Sequence, residues 1–88
     1  MRVDIALNRL CLTRSRNEAK QACEAGAVLI SGRVAKASQE VEVGDTVTLR
    51  FHDRILELKI LELPGKSVSK KAAREMYEVV REQRTERA

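Results

Sequence analysis

At Gly26 the spacing of apolar residues switches from helical to alternating, and a chain that does this must build helices first and a sheet afterwards. Before the switch, Val3, Ala6, Leu7, Leu10 and Cys11 recur at helical spacing over residues 3–12, with Asp4 complementing the helix dipole in the first turn. Thr13 to Ser15 interrupt the pattern. Ser15 followed by Glu18 reads as a capping box, in which the hydroxyl takes the N3 amide and the carboxylate reaches back. A second helix is therefore expected over 16–25, burying Ala19, Ala22 and Cys23. It ends at Gly26, a residue that accepts the left-handed closing conformation.

After Gly26, Val28 and Ile30 alternate, Ser31-Gly32 makes a turn and Val34 resumes, which predicts two short strands in a hairpin. Val41 and Val43 lead to a second turn at Gly44-Asp45, where the glycine serves backbone geometry. Thr46 to Phe51 alternates, His52-Asp53-Arg54 turns the chain, Ile55 to Leu63 alternates again, and Pro64-Gly65 ends the sheet. From Ser67 to about Arg84, Ala72, Ala73, Met76, Val79 and Val80 form a stripe at 3.6 spacing, with Ser69 as cap, so a C-terminal helix is expected. Lys71–Glu75 and Arg74–Glu78 stand at i,i+4 spacing and should partly compensate each other. The final TERA is expected to fray. The fold class is thus α+β, with two N-terminal helices packed on a small, mainly antiparallel sheet and a C-terminal helix. Residues 1–65 form the main domain and 66–88 a helical extension.

With 88 residues there is room for one small domain and little else. No apolar run approaches the ~18 residues of a membrane span, and the opening MRVDIALNRL has no signal-peptide core, so the cytosol is the expected compartment. Cys11 and Cys23 match no zinc spacing and are too few for a disulfide framework; both are expected as reduced core thiols.

Charge is unevenly distributed. The formal +4 resolves into +4 for residues 1–36, −3 for 37–65 and +3 for 66–88, so two basic ends flank an acidic sheet region. Arg9, Arg14, Arg16 and Lys20 surround the turn between the first two helices, with Arg16 and Lys20 on one face. Arg2 and Arg16 oppose the dipoles of their helices, which suggests a use elsewhere. Singly these are solvated side chains; together, beside helix N-terminal amides, they make a phosphate cradle that Arg33 and Lys36 extend. Lys66, Lys70, Lys71 and Arg74 offer a second basic contact, or simply a solvated helix face. Only Phe51 and Tyr77 are aromatic, too few for a sheet that reads single strands by stacking, so charge and shape should dominate any nucleic-acid contact.

Catalysis finds no footing. His52 is the only histidine and falls in a surface turn; the glycines at 26, 32, 44 and 65 form no phosphate loop, and no metal-ligand cluster appears. Neither cofactor nor metal is expected.

The run Arg2-Val3-Asp4, Leu7, Ser15-Arg16, Ala19, Gly26-Ala27-Val28-Leu29-Ile30-Ser31-Gly32, Lys36-Ala37-Ser38 and Val41-Glu42-Val43-Gly44-Asp45 resembles the S4 (αL-motif) RNA-binding domain. The remainder, including Lys71-Ala72-Ala73-Arg74-Glu75-Met76-Tyr77, is similar to stand-alone versions of that domain, the family of ribosome-quality-control protein P and heat-shock protein fifteen. The resemblance implies a factor that binds the large ribosomal subunit stalled with a nascent chain on tRNA. Such a factor contacts ribosomal RNA, steadies the peptidyl-tRNA and supports alanine tailing by a partner factor. Arg2 and Arg16 coincide with basic positions of the family motif, with Lys20 close behind. Cys11 stands where the first helix of the family is usually basic, and Val3 replaces a leucine. Two other readings remain open: a general structured-RNA binder or accessory module of an RNA-modifying enzyme, and a protein-interaction adaptor. A monomer is expected.

Overall fold

A computed structural model describes residues 1–84; the frayed end expected at residues 85–88 lies outside the described residues. The elements run α1 (Val3–Arg9), α2 (Arg16–Glu24), β1 (Val28–Ile30), β2 (Arg33–Val34), β3 (Thr46–Arg50), β4 (Arg54–Ile60), α3 (Lys70–Arg74) and β5 (Tyr77–Arg84). The strands form one antiparallel sheet in the order β2-β1-β3-β4-β5. The expected α+β class is the observed one; β3 returns to pair with β1 rather than β2, and the link from β4 to β5 carries α3.

The apolar stripes of α1 and α2 lie against one face of the sheet. Val3, Ala6, Leu7, Leu10, Ala19 and Cys23 meet Val28, Ile30, Val47, Leu49, Leu56, Leu58 and Ile60 in a single buried cluster. Each fully buried Leu, Ile or Val contributes about 1.5–3 kcal/mol, and these side chains supply the main driving force. On the opposite face the register places Glu57 opposite Arg81 and Lys59 opposite Glu78.

Both N-terminal helices end in the same way. In α2, Gly26 takes φ +75°, the Ala27 N–H donates to the Ala22 carbonyl and the Gly26 N–H to that of Cys23, which is a Schellman closure. In α1 the same two bonds run from Leu12 to Leu7 and from Cys11 to Asn8, but the left-handed residue is Cys11 at φ +61°. The closure explains why α1 stops at Arg9 although the apolar pattern continues to Leu12. It also corrects the expectation of two core thiols: Cys23 is buried, but Cys11 is exposed. An L-residue in this conformation costs about 1–2 kcal/mol that glycine avoids, less the extra entropy glycine loses on folding. Cys11→Gly is therefore expected to raise stability by about 0.5–1 kcal/mol, read as a higher midpoint in urea at unchanged m-value.

The largest departure from the sequence reading lies in the tail. Ser69 does cap a helix, its hydroxyl accepting from the Ala72 N–H at 3.1 Å, but that helix ends at Arg74. Residues 77–84 form a strand paired along the whole of β4, so the expected helix over 67–84 is replaced by one short helix and an edge strand. The reason is a β-bulge. Leu58 faces Val79 while Glu57 faces Arg81, which leaves Val80 unpaired. The extra residue sets Val79 beside Val80 in sequence, so the alternation of Tyr77 and Val79 is broken and a false helical stripe appears. The expected Lys71–Glu75 and Arg74–Glu78 compensation is likewise absent from the ion pairs among the described residues.

Candidate RNA interface

The site begins with a buried acid. Asp4, 1% exposed, is the only carboxylate before Glu18 in the chain and sits in the first turn of α1. Its Oδ1 accepts from the Ile5 N–H at 2.8 Å and from Arg2 Nε at 3.2 Å; its Oδ2 accepts from Arg2 Nη2 at 3.1 Å and Arg16 Nε at 3.5 Å. A buried carboxylate needs such partners, because an unpaired ion loses far more hydration than it regains. Asp4 thus does more than complement a dipole: it holds the guanidinium groups of Arg2, the N-cap of α1, and of Arg16 on α2 side by side.

Backbone bonds fix each arm of this arrangement. The Val3 N–H donates to the Gln39 carbonyl and the Val41 N–H to that of Met1, both at 2.8 Å, so residues 39–41 clamp the chain on both sides of Arg2. At α2 the Ser15 hydroxyl accepts from the Glu18 N–H at 3.0 Å, which sets Arg16 as the first helical residue. The Glu18 carboxylate does not reach back to Ser15 as a capping box would; it accepts from the Arg14 N–H at 3.4 Å instead. Arg16 opposes the dipole of α2, and Asp4 offsets that cost.

Around this centre the expected residues divide. Arg2, Arg16 and Lys20 line one cleft of about 440 Å³ with Asp4 and Asn17. Arg2 and Lys20 also line an adjoining cleft with Lys36, Ala37 and Ser38. Four of the expected cations therefore share one continuous surface. Arg2 and Arg16 keep 40% and 54% of their side-chain surface exposed, so each is anchored at one edge and open at the other. Arg33 lies exposed on the edge strand β2, outside both clefts. Arg9 turns away, its Nη1 donating to the Pro64 carbonyl at 3.5 Å. Arg14 faces a different groove, beside Phe51, Arg54 and Lys70. Lys70 and Arg74 project into a groove with Tyr77, whereas Lys66 and Lys71 are exposed outside it. The sequence reading missed Asp4 as an anchor, although its isolation among basic residues was a usable sign. It also missed Arg54, which looked like part of a turn.

Cys23 borders the second cleft, and its thiol pKa is raised by burial first and then by Asp4 and Glu24. It remains a neutral, packed thiol beside the basic surface.

Residues 1–47 match the S4 domain family. The RQC P-site tRNA stabilizing factor of Streptococcus pneumoniae is 35% identical over 98% of this chain and 97% of its own length. The chain belongs to the family of S4-domain RQC P-site tRNA stabilizing factors. The Helicobacter pylori factor is 42% identical over 81% of this chain and 86% of its own. Among solved structures, trimeric heat shock protein 15 of Vibrio cholerae superposes with a TM-score of 0.84 at 28% identity, covering 91% of this chain and 81% of that one. Within an S4-domain fold, the clefts flanking Asp4 lie entirely in the matched region.

Proposed function

We propose that this chain is a non-catalytic bacterial RNA-binding factor that docks on ribosomal RNA and tRNA of the large ribosomal subunit, in quality control of stalled nascent chains. The observation that carries this reading is the surface around Asp4, where Arg2, Arg16, Lys20 and Lys36 converge. A cluster of anchored, half-exposed guanidinium groups recognises phosphate by charge and bidentate geometry, without base stacking. Membership in a family whose relatives are named for stabilising P-site tRNA supplies the RNA class. In this reading residues 1–65 are the docking unit, and the segment from 66 packs against it. The factor acts in the cytosol as a monomer, beside a nascent-chain tailing partner.

Four cations engaging four phosphates give a log–log salt slope of about −3 to −4 for a folded ribosomal RNA fragment. Replacing Arg16 and Lys20 together by alanine is expected to weaken binding about tenfold and to bring the slope to about −2. Arg2 still satisfies Asp4 in that variant, so its thermal midpoint should stay within a few degrees of the parent. Unchanged affinity and slope would overturn the surface.

A further inference from the structure

A second groove lies on another side of the molecule, away from Arg16 and Lys20. Arg16 and Glu18 are two residues apart on α2, so they point about 160° from each other. Arg16 lines the first cleft, and Glu18 with Arg14 borders a groove that adjoins the second one at Cys11, Phe51, Arg54 and Lys70. The second groove is lined by both of the chain's aromatic residues, Phe51 beside the start of β4 and Tyr77 opposite its end, together with Arg54, Lys70, Arg74 and Glu82. The Arg54 guanidinium lies 4.9 Å from the Phe51 ring centroid and is held from the side by Glu82 at 3.2 Å. The pair is a cation–π contact at the groove. Among the described residues, the side chains of Arg14, Lys70 and Arg74 have no acidic partner; Glu18 reaches the backbone of Arg14 rather than its guanidinium.

We propose that this groove takes one unstacked RNA nucleotide, with its base against the Tyr77 and Phe51–Arg54 surfaces and its phosphates on Lys70 and Arg74. The reading rests on the RNA-docking function proposed above. The one acid lining the groove, Glu82, is paired with Arg54, which leaves Lys70 and Arg74 in excess for an anion, and the Phe51–Arg54 pair offers a face for a planar partner; a nucleotide has both in one unit. The volume of about 400 Å³ lies within the range of small-ligand sites. An acidic peptide would satisfy the cations and leave the Phe51–Arg54 face unused.

Cys11 gives the test a built-in reporter, because it is exposed in this groove while Cys23 is buried and serves as internal control. The full chain is titrated with an RNA hairpin carrying a single bulged adenosine and with the same hairpin fully paired, while alkylation of Cys11 by N-ethylmaleimide is followed. The bulged hairpin is expected to bind about tenfold tighter and to slow Cys11 alkylation about tenfold; the paired hairpin does neither. Lys70→Ala with Arg74→Ala, both exposed on α3, should remove the preference and the protection while leaving paired-hairpin affinity within twofold. Tyr77→Leu, which keeps apolar bulk at a half-buried position, should do the same. Arg16→Ala with Lys20→Ala should lower both affinities in parallel and preserve their ratio. If that variant leaves both affinities unchanged, the phosphate surface fails, while the ratio and the protection still report on the groove. Equal binding of the two hairpins, a preference that survives both groove variants, or equal protection by polyglutamate would overturn the nucleotide site.

Discussion

Replacing Asp4 by alanine is expected to weaken RNA binding about thirtyfold, even though it removes an acid from a basic surface and raises the formal charge by one from +4. Net charge alone predicts the opposite sign. The reason lies in what the carboxylate does. It accepts from both Arg2 and Arg16, and so holds two long side chains in one geometry before RNA arrives. Immobilising each on binding costs about 0.5–1.5 kcal/mol, which Asp4 has already offset during folding. The variant also loses the acceptor for the Ile5 N–H and the link between α1 and α2. Stability should fall by about 2 kcal/mol, and the midpoint by roughly 10 °C for a domain of this size. That figure is below the 3–5 kcal/mol of a fully buried pair because both arginines remain half in water. Asp4→Asn keeps the shape without the charge and should fall between parent and alanine variant. Filter binding at a temperature below both measured midpoints separates the affinity effect from unfolding. An affinity equal to or above the parent's would show that Arg2 and Arg16 need no anchor.

The second large effect concerns the tail. A chain ending at residue 76 is expected to lose about 3.5–10 kcal/mol, because β5 pairs with β4 at seven positions and each ladder bond contributes about 0.5–1.5 kcal/mol. A small domain has about 5–15 kcal/mol in total, so the shortened chain should be largely unfolded at 37 °C. A separable helical extension would leave the midpoint of residues 1–76 unchanged. Hydrogen exchange distinguishes the two on the intact chain. An edge strand bonded on one side protects amides in alternation along 77–84, whereas a helix would protect them as a continuous run.

The N-terminal half was legible because its signals are local. The Ser15 cap, the Gly26 closure and the Ser31-Gly32 turn each depend on residues within one or two turns of chain, and the latter two take the positive φ that the sequence demands. β5 was not legible, because the bulge at Val80 mimics a helical stripe and is settled only by pairing with β4. The site divides along the same line. Arg16 and Lys20 share a helix face that spacing reveals, and Lys36 joins them only because the 39–41 segment folds back beside Met1 and Val3. Arg9 and Arg14 looked equivalent to Arg16 in sequence. They diverge because the left-handed turn at Cys11 redirects the chain between the helices, an event no charge count detects.

The most direct test of the account is sedimentation of tagged protein from bacterial lysate under conditions that stall translation, with the co-migrating RNA identified by hybridisation. The intact chain should travel with large subunits that carry tRNA, and the Arg16→Ala, Lys20→Ala variant should move to the top of the gradient while retaining its fold. Intact protein that stays at the top under stalling, or a variant that still travels with the tRNA-bearing subunits, would contradict the assignment of this surface to ribosomal RNA.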